Sequence, residues 1–84
     1  MTVRDLYLIS DNNAKISVYS FHKSDGLSIR VCTMNFYNST KDFLDLIVLR
    51  ITVGNYGILN IYIDSFELED FLEKGGHIYE VEGL

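Results

Sequence analysis

The chain has 84 residues, which suits one domain, and 48% of them are hydrophobic, so a core can form without disulfide support. Cys32 is the only cysteine, which excludes a disulfide within the chain and favours a reducing compartment. No apolar run approaches the roughly 20 residues of a membrane-spanning helix, and the N-terminus lacks a secretory signal. We therefore expect a cytoplasmic protein that does not contact a membrane.

The net charge of −5 is unevenly distributed along the chain. Residues 1–63 carry six basic and five acidic side chains, whereas residues 64–84 carry seven acidic side chains and one lysine. All of the excess negative charge therefore lies in the last quarter of the chain. This balance argues against direct binding to DNA or RNA, because phosphates are bound by clustered cations.

A short helix and a hairpin are predicted for the first third of the chain. Thr2 and Asp5 have the spacing of a capping box, which predicts a helix over residues 3–9. A strand through residues 6–9 is the alternative. Alternating apolar residues then predict strands over residues 15–21 and 27–33, joined by a turn that contains the dipeptide Asp-Gly.

A second hairpin is the strongest pattern in the chain. The sequence VLRITV and the sequence ILNIYI flank a four-residue break with glycine at both ends. A short helix over residues 41–46 is predicted before this hairpin, after the N-cap candidates Asn38, Ser39 and Thr40. The four strands and the helices together predict an α+β fold, with an antiparallel sheet of about four strands and short helices on one face. The predicted core comprises Leu49, Ile51, Val53, Leu59, Ile61, Ile63, Leu68, Phe71 and Leu72.

A C-terminal helix is predicted from Asp64 to the double glycine at positions 75 and 76. Asp64 fits an N-cap with Glu67 as its capping-box partner, and Ile63 and Leu68 fit a hydrophobic staple. The two glycines supply the helix stop. The last residues, 77–82, alternate weakly and are predicted to add an edge strand.

The predicted C-terminal helix has an acidic face. Leu68, Phe71 and Leu72 fall on one side at 100° per residue, and the acidic residues fall on the other, with Phe66 among them. Two interpretations are open: a solvated surface, or a surface that binds a basic partner with Phe66 as an aromatic anchor. Phe66 also fits a position folded back on the preceding strand. The candidate partner-binding residues are Asp64, Phe66, Glu67, Glu69, Asp70 and Glu73.

Catalytic, cofactor and metal motifs are absent from the sequence. It has no glycine-rich phosphate loop, no cysteine pair and no paired-histidine helix. His22 and His77 lie beside turn residues without ligand spacing, and Cys32 has no basic neighbour that would activate its thiol. We therefore expect a protein that is not an enzyme and that uses no cofactor or metal.

Three stretches of the sequence resemble small proteins of phages and mobile elements of Gram-positive bacteria. They are the start MTVRDL, the DNN that precedes the strand KISVY, and the closing strand LNIYID, which together lie within residues 1–64. Some small acidic proteins of this kind inhibit host defence, anti-CRISPR proteins among them. The resemblance therefore implies an inhibitor of a host defence protein, acting in the cytoplasm of the host bacterial cell.

The charge pattern and the resemblance lead to one main functional expectation. We expect an inhibitor that contacts a basic nucleic-acid-binding protein, such as a CRISPR effector, through the acidic helix as a nucleic-acid mimic. One alternative is a small regulatory or assembly protein that self-associates through sheet edges. Another is a regulator that binds nucleic acid through Arg30, Lys41 and Arg50, which the net charge disfavours. We expect a monomer or a weak homodimer, because acids at residues 77–82 would repel an identical neighbour.

Overall fold

The computed structural model describes residues 1–10, 14–35 and 40–76. This part of the chain contains three α-helices and four strands, with a short 3-10 helix, Asn55–Gly57, between the last two strands. The predicted strand over residues 77–82 lies outside the described residues. The elements are α1 (Val3–Ile9), β1 (Lys15–Phe21), β2 (Ser28–Asn35), α2 (Lys41–Leu44), β3 (Val48–Val53), β4 (Leu59–Asp64) and α3 (Ser65–Glu73).

The four strands form one sheet in the order β2-β1-β4-β3. Both predicted hairpins are present as antiparallel pairs, β1 with β2 and β3 with β4. The two hairpins join through β1 and β4, which run parallel, so the sheet is mixed and mostly antiparallel. The α+β prediction with four strands and short helices is confirmed.

Helix α1 forms as its capping box predicts, and the strand alternative is wrong. The Asp5 backbone N–H donates to Thr2 Oγ1 over 3.4 Å, and the Thr2 backbone N–H donates to Asp5 Oδ2 over 2.9 Å. The hydrogen bond from the Thr2 backbone lowers the pKa of the Asp5 carboxyl, because it stabilises the charged form. The start of the helix is tied to the segment before β3 by a hydrogen bond from the Val3 N–H to the Leu46 carbonyl, over 2.9 Å, and to β3 itself by one from the Val48 N–H to the Met1 carbonyl, over 2.8 Å.

All three helices contribute to one core against the same side of the sheet, which we call the inner face. Phe43 of α2 and Phe71 of α3 meet there with ring centroids 5.9 Å apart. Among the residues that the structure describes, the opposite side of the sheet, the outer face, contributes no buried apolar side chain. The buried apolar residues are Val3, Leu6, Ile16, Val18, Cys32, Met34, Phe43, Val48, Ile61, Ile63, Leu68 and Phe71.

The predicted core is right for β4 and wrong for much of β3. Ile61 and Ile63 are fully buried and Leu59 packs against the core, but Leu49, Ile51 and Val53 are exposed. A bulge explains part of the error: Val48 pairs with Ile63 and Arg50 pairs with Tyr62, which leaves Leu49 without an opposite residue. This extra residue puts Val48 rather than Leu49 in the core.

The position of β3 explains the remaining errors in that strand. Ile51 pairs with Ile61 and Val53 pairs with Leu59, so both lie on the predicted inner face. However, β3 is an edge strand, and the short helices do not reach over its second half. On α3, Leu72 is also wrongly assigned to the core, since it lies at the border of the buried stripe and is 43% exposed.

Candidate functional site

Helix α3 presents its acidic side to solvent because its other side is anchored in the core. Leu68 and Phe71 are buried, and so is Ser65 in the first turn. The helix ends as predicted at the two glycines: Gly75 has a φ of +86° and its N–H donates to the Leu72 carbonyl over 3.2 Å. The buried residues in the first and later turns therefore fix which side of α3 faces the core.

Four of the six candidate residues share the exposed side of α3, which we call the acidic face: Phe66, Glu69, Asp70 and Glu73. Phe66 is 76% exposed and does not fold back on the preceding strand. The three carboxylates are also exposed and follow it along the helix, Glu69 and Asp70 by one turn and Glu73 by two turns. The acidic face thus combines an uncovered aromatic ring with three negative charges.

One cation, Lys74, lies at the C-terminal end of the acidic face. Lys74 Nζ contacts Asp70 Oδ2 over 2.8 Å, and this hydrogen bond raises the pKa of the lysine. Both side chains are mostly exposed, so the pair contributes little to stability. Glu69 and Glu73 form no ion pair with any residue that the structure describes.

The other two candidate residues, Asp64 and Glu67, are partly buried beside the acidic face. The capping box predicted for them does not form, because the Asp64 side chain makes no capping hydrogen bond. Asp64 Oδ1 and Glu67 Oε2 are buried and find no hydrogen-bond partner among the described residues. An unpaired buried carboxylate oxygen is unfavourable, so these two oxygens lower the stability of this region.

A cavity of about 300 Å³ lies next to the acidic face, between α2 and α3. Leu46, Ile47 and Phe71 supply its apolar wall. Four carboxylates also line it, and two of them are already paired: Asp45 with Arg4, and Asp70 with Lys74, which itself lines the cavity. The acidic residues around the cavity are Asp42, Asp45, Glu67 and Asp70.

The sequence does not show that the outer face of the sheet carries an ordered polar and aromatic surface. Tyr19 and Tyr62 stack there with centroids 4.8 Å apart, and the guanidinium carbon of Arg50 lies 5.4 Å from the centroid of Tyr62. The alternation of side chains within each strand does indicate that these residues point away from the core. Which residues lie side by side depends on the parallel pairing of β1 with β4, which the sequence alone does not indicate.

The described residues contain neither a metal-binding cluster nor a transmembrane helix. Within residues 1–10, 14–35 and 40–76, no three His, Cys, Asp or Glu side chains converge as ligands. None of the helices in that part of the chain is long and apolar enough to cross a membrane. His22 lies next to the turn between β1 and β2, and Cys32 is buried in the core.

Comparison with known proteins identifies no relative of this chain. No family model, curated protein or solved structure gives a significant match to it. A function for the protein therefore has to be inferred from the surfaces described above.

Proposed function

We propose that this protein is a non-enzymatic inhibitor that binds a basic protein through the acidic face of α3. The observation that carries the proposal is the 76% exposure of Phe66 among three carboxylates. Aromatic side chains at the centre of an interface often supply much of its binding energy, and surrounding charges set specificity and the association rate. The acidic face has both components in one helix of nine residues.

The cavity beside the acidic face supports a partner rich in lysine or arginine. These side chains bury their aliphatic stems on apolar surface and keep their charged ends near polar groups. Leu46, Ile47 and Phe71 offer the apolar wall, and Glu67 Oε2 is an acceptor without a hydrogen-bond donor among the described residues. A basic side chain of the partner in this cavity would lie beside the Glu67 carboxylate, which forms no ion pair with the described residues.

The resemblance to small phage proteins makes the proposal more specific. We assign the partner to the nucleic-acid-binding defence proteins of a host bacterium, CRISPR effectors among them, met in the host cytoplasm. Such proteins carry stripes of lysine and arginine for phosphates. Carboxylates at successive turns of a rigid helix are suited to occupy such a stripe in place of nucleic acid.

Capture from a lysate of a Gram-positive bacterium, followed by mass spectrometry, tests this proposal. The immobilised protein should retain a basic nucleic-acid-binding protein, and Phe66→Ala should lose it. Ile9→Ala is the matched control, because Ile9 is an exposed apolar residue of α1, 79% accessible and away from α3. Equal capture by Phe66→Ala and by the unmodified protein would contradict the role of Phe66.

Self-association through sheet edges is the second candidate, and the exposed apolar residues of β3 favour it. Val53 is 78% exposed and Ile51 is 37% exposed on this edge strand. Unprotected edges of this kind pair with other strands. We nevertheless expect a monomer at micromolar concentration in sedimentation equilibrium. A stable dimer that Val53→Lys dissociates would favour the assembly function instead.

A further inference from the structure

The outer face of the sheet carries a row of four side chains that crosses all four strands. The pairing registers place Arg30 opposite Tyr19, Tyr19 opposite Tyr62, and Tyr62 opposite Arg50. The two rings stack on each other, and Arg50 packs on Tyr62 from the neighbouring strand. The row therefore has an exposed arginine at each end and aromatic rings between them.

A second row, of hydroxyl and amide side chains, lies beside the first. Ser17 Oγ and Thr33 Oγ1 are 2.9 Å apart, and Asn60 Nδ2 donates to Thr52 Oγ1 over 3.1 Å. This row holds the first one in place. Arg30 donates to Thr33 Oγ1 over 2.8 Å, and the hydroxyls of Tyr62 and Thr52 are 3.2 Å apart.

The two arginines of the first row are available to an anionic ligand. The ion pairs in the described part of the chain are Arg4 with Asp45 and Lys74 with Asp70, and neither involves Arg30 or Arg50. The acidic face of α3 lies on the other side of the sheet, because α3 packs on the inner face. The molecule is thus acidic on one side and has two unneutralised guanidinium groups on the other.

We propose that the outer face binds an extended acidic segment of a partner protein, with one carboxylate at each arginine. Arg30 and Arg50 are separated by three inter-strand steps, which is about 14 Å between their backbones. An extended peptide covers about 13 Å in four residues, and side chains four residues apart point to the same side. The matching segment therefore has acidic residues at positions i and i+4.

Single-stranded nucleic acid fits this face less well. Tyr62 lies between Tyr19 and Arg50, so both faces of its ring are already covered, whereas binding of single strands relies on bases that stack on open rings. Phosphate binding also needs several cations, and the chain as a whole carries a net charge of −5. A carboxylate-bearing peptide requires only the two arginines and the polar row.

Fluorescence anisotropy with two labelled peptides tests this inference. Both peptides have ten residues, which are threonine and valine except for two aspartates. The first peptide has its aspartates at the third and seventh positions, and the second has them at the third and sixth positions. The first peptide should bind about tenfold more tightly, since only its aspartates share one side of an extended chain. Arg30→Gln and Arg50→Gln should each weaken its binding about tenfold, as loss of a charge-assisted hydrogen bond does.

Lys23→Gln is the matched control, because it removes one exposed positive charge from the turn between β1 and β2 and should leave binding unchanged. If a glutamine variant fails to fold, Arg30→Lys and Arg50→Lys keep the charge, remove the bidentate fork and should still weaken binding. Equal binding of the two peptides, or wild-type binding by the folded arginine variants, would overturn the inference. So would tighter binding of a ten-nucleotide single-stranded DNA than of the first peptide. None of these outcomes depends on α3 having a partner.

Discussion

Reversal of charge at Glu69, Asp70 and Glu73, all to lysine, should abolish binding of the basic partner while the protein remains folded. The three side chains are exposed and face away from the core, so the melting temperature should stay within a few degrees of the unmodified value. The association rate should fall by at least about tenfold and should no longer decrease as salt is added, since long-range attraction is replaced by repulsion, which salt also screens. Stopped-flow association at several salt concentrations measures this effect.

A charge-matched pair separates a local effect from a change in net charge. Neutralisation by Glu69→Gln, Asp70→Asn and Glu73→Gln changes the net charge by +3, as does Ser24→Lys combined with Asp25→Lys in the turn between β1 and β2. The first variant should slow association much more than the second. If the triple reversal folds normally and inhibits as well as the unmodified protein, the acidic face serves only as solvated surface.

Phe66→Ala should act on a different step of the same binding reaction. Loss of an aromatic anchor costs about 2 kcal/mol, or roughly thirtyfold in affinity, and appears mainly as faster dissociation. The salt dependence of association should remain, because the three carboxylates are intact. The triple charge variant and Phe66→Ala together therefore distinguish the electrostatic and apolar contributions of the acidic face.

Ile61→Ala should destabilise the protein by about 2–4 kcal/mol, as truncation of a buried isoleucine does. Ile61 is 0% exposed and lies in the middle of β4, opposite Val18 on one side and Ile51 on the other. A domain of this size has a total stability of roughly 4–13 kcal/mol, so this loss is a large part of it. Chemical denaturation should show a clear drop in the transition midpoint.

Ile51→Ala is the matched control for this substitution. Ile51 lies on the same rung and the same face, but it is 37% exposed on the edge strand. Its truncation should cost clearly less than that of Ile61, because less apolar surface returns to water. Equal losses at the two positions would mean that the inner face is covered out to β3.

Local patterns predict the helices and hairpins because their determinants lie within a few residues. The capping box of α1 joins Thr2 to Asp5, and the double glycine after α3 stops that helix where expected. Alternation in β4 identifies Ile61 and Ile63 as buried. The orientation of α3 follows in the same way from helical periodicity, which places Phe66 on the side of the acids.

Features that depend on contacts between distant parts of the chain are not predictable in this way. The single extra residue Leu49 forms a bulge in β3, so that Val48 before it points to the inner face of the sheet. Alternation alone does not show where such a bulge falls. The row that contains Tyr19 and Tyr62 requires β1 and β4 to be neighbours, although these strands lie in different hairpins of the sequence. The expected capping contact of Asp64 is absent: its side chain makes no hydrogen bond to the first turn of α3, and its Oδ1 is buried without a partner among the described residues.

Competition between this protein and nucleic acid for the captured partner tests the role of α3 most directly. Labelled nucleic acid bound to the purified partner is titrated with this protein, and its release is followed by anisotropy. If the acidic face occupies the phosphate-binding stripe, the protein should displace the nucleic acid, and the neutralised variant at Glu69, Asp70 and Glu73 should not. A stable ternary complex, with the affinity for nucleic acid unchanged, would contradict the proposed mimicry.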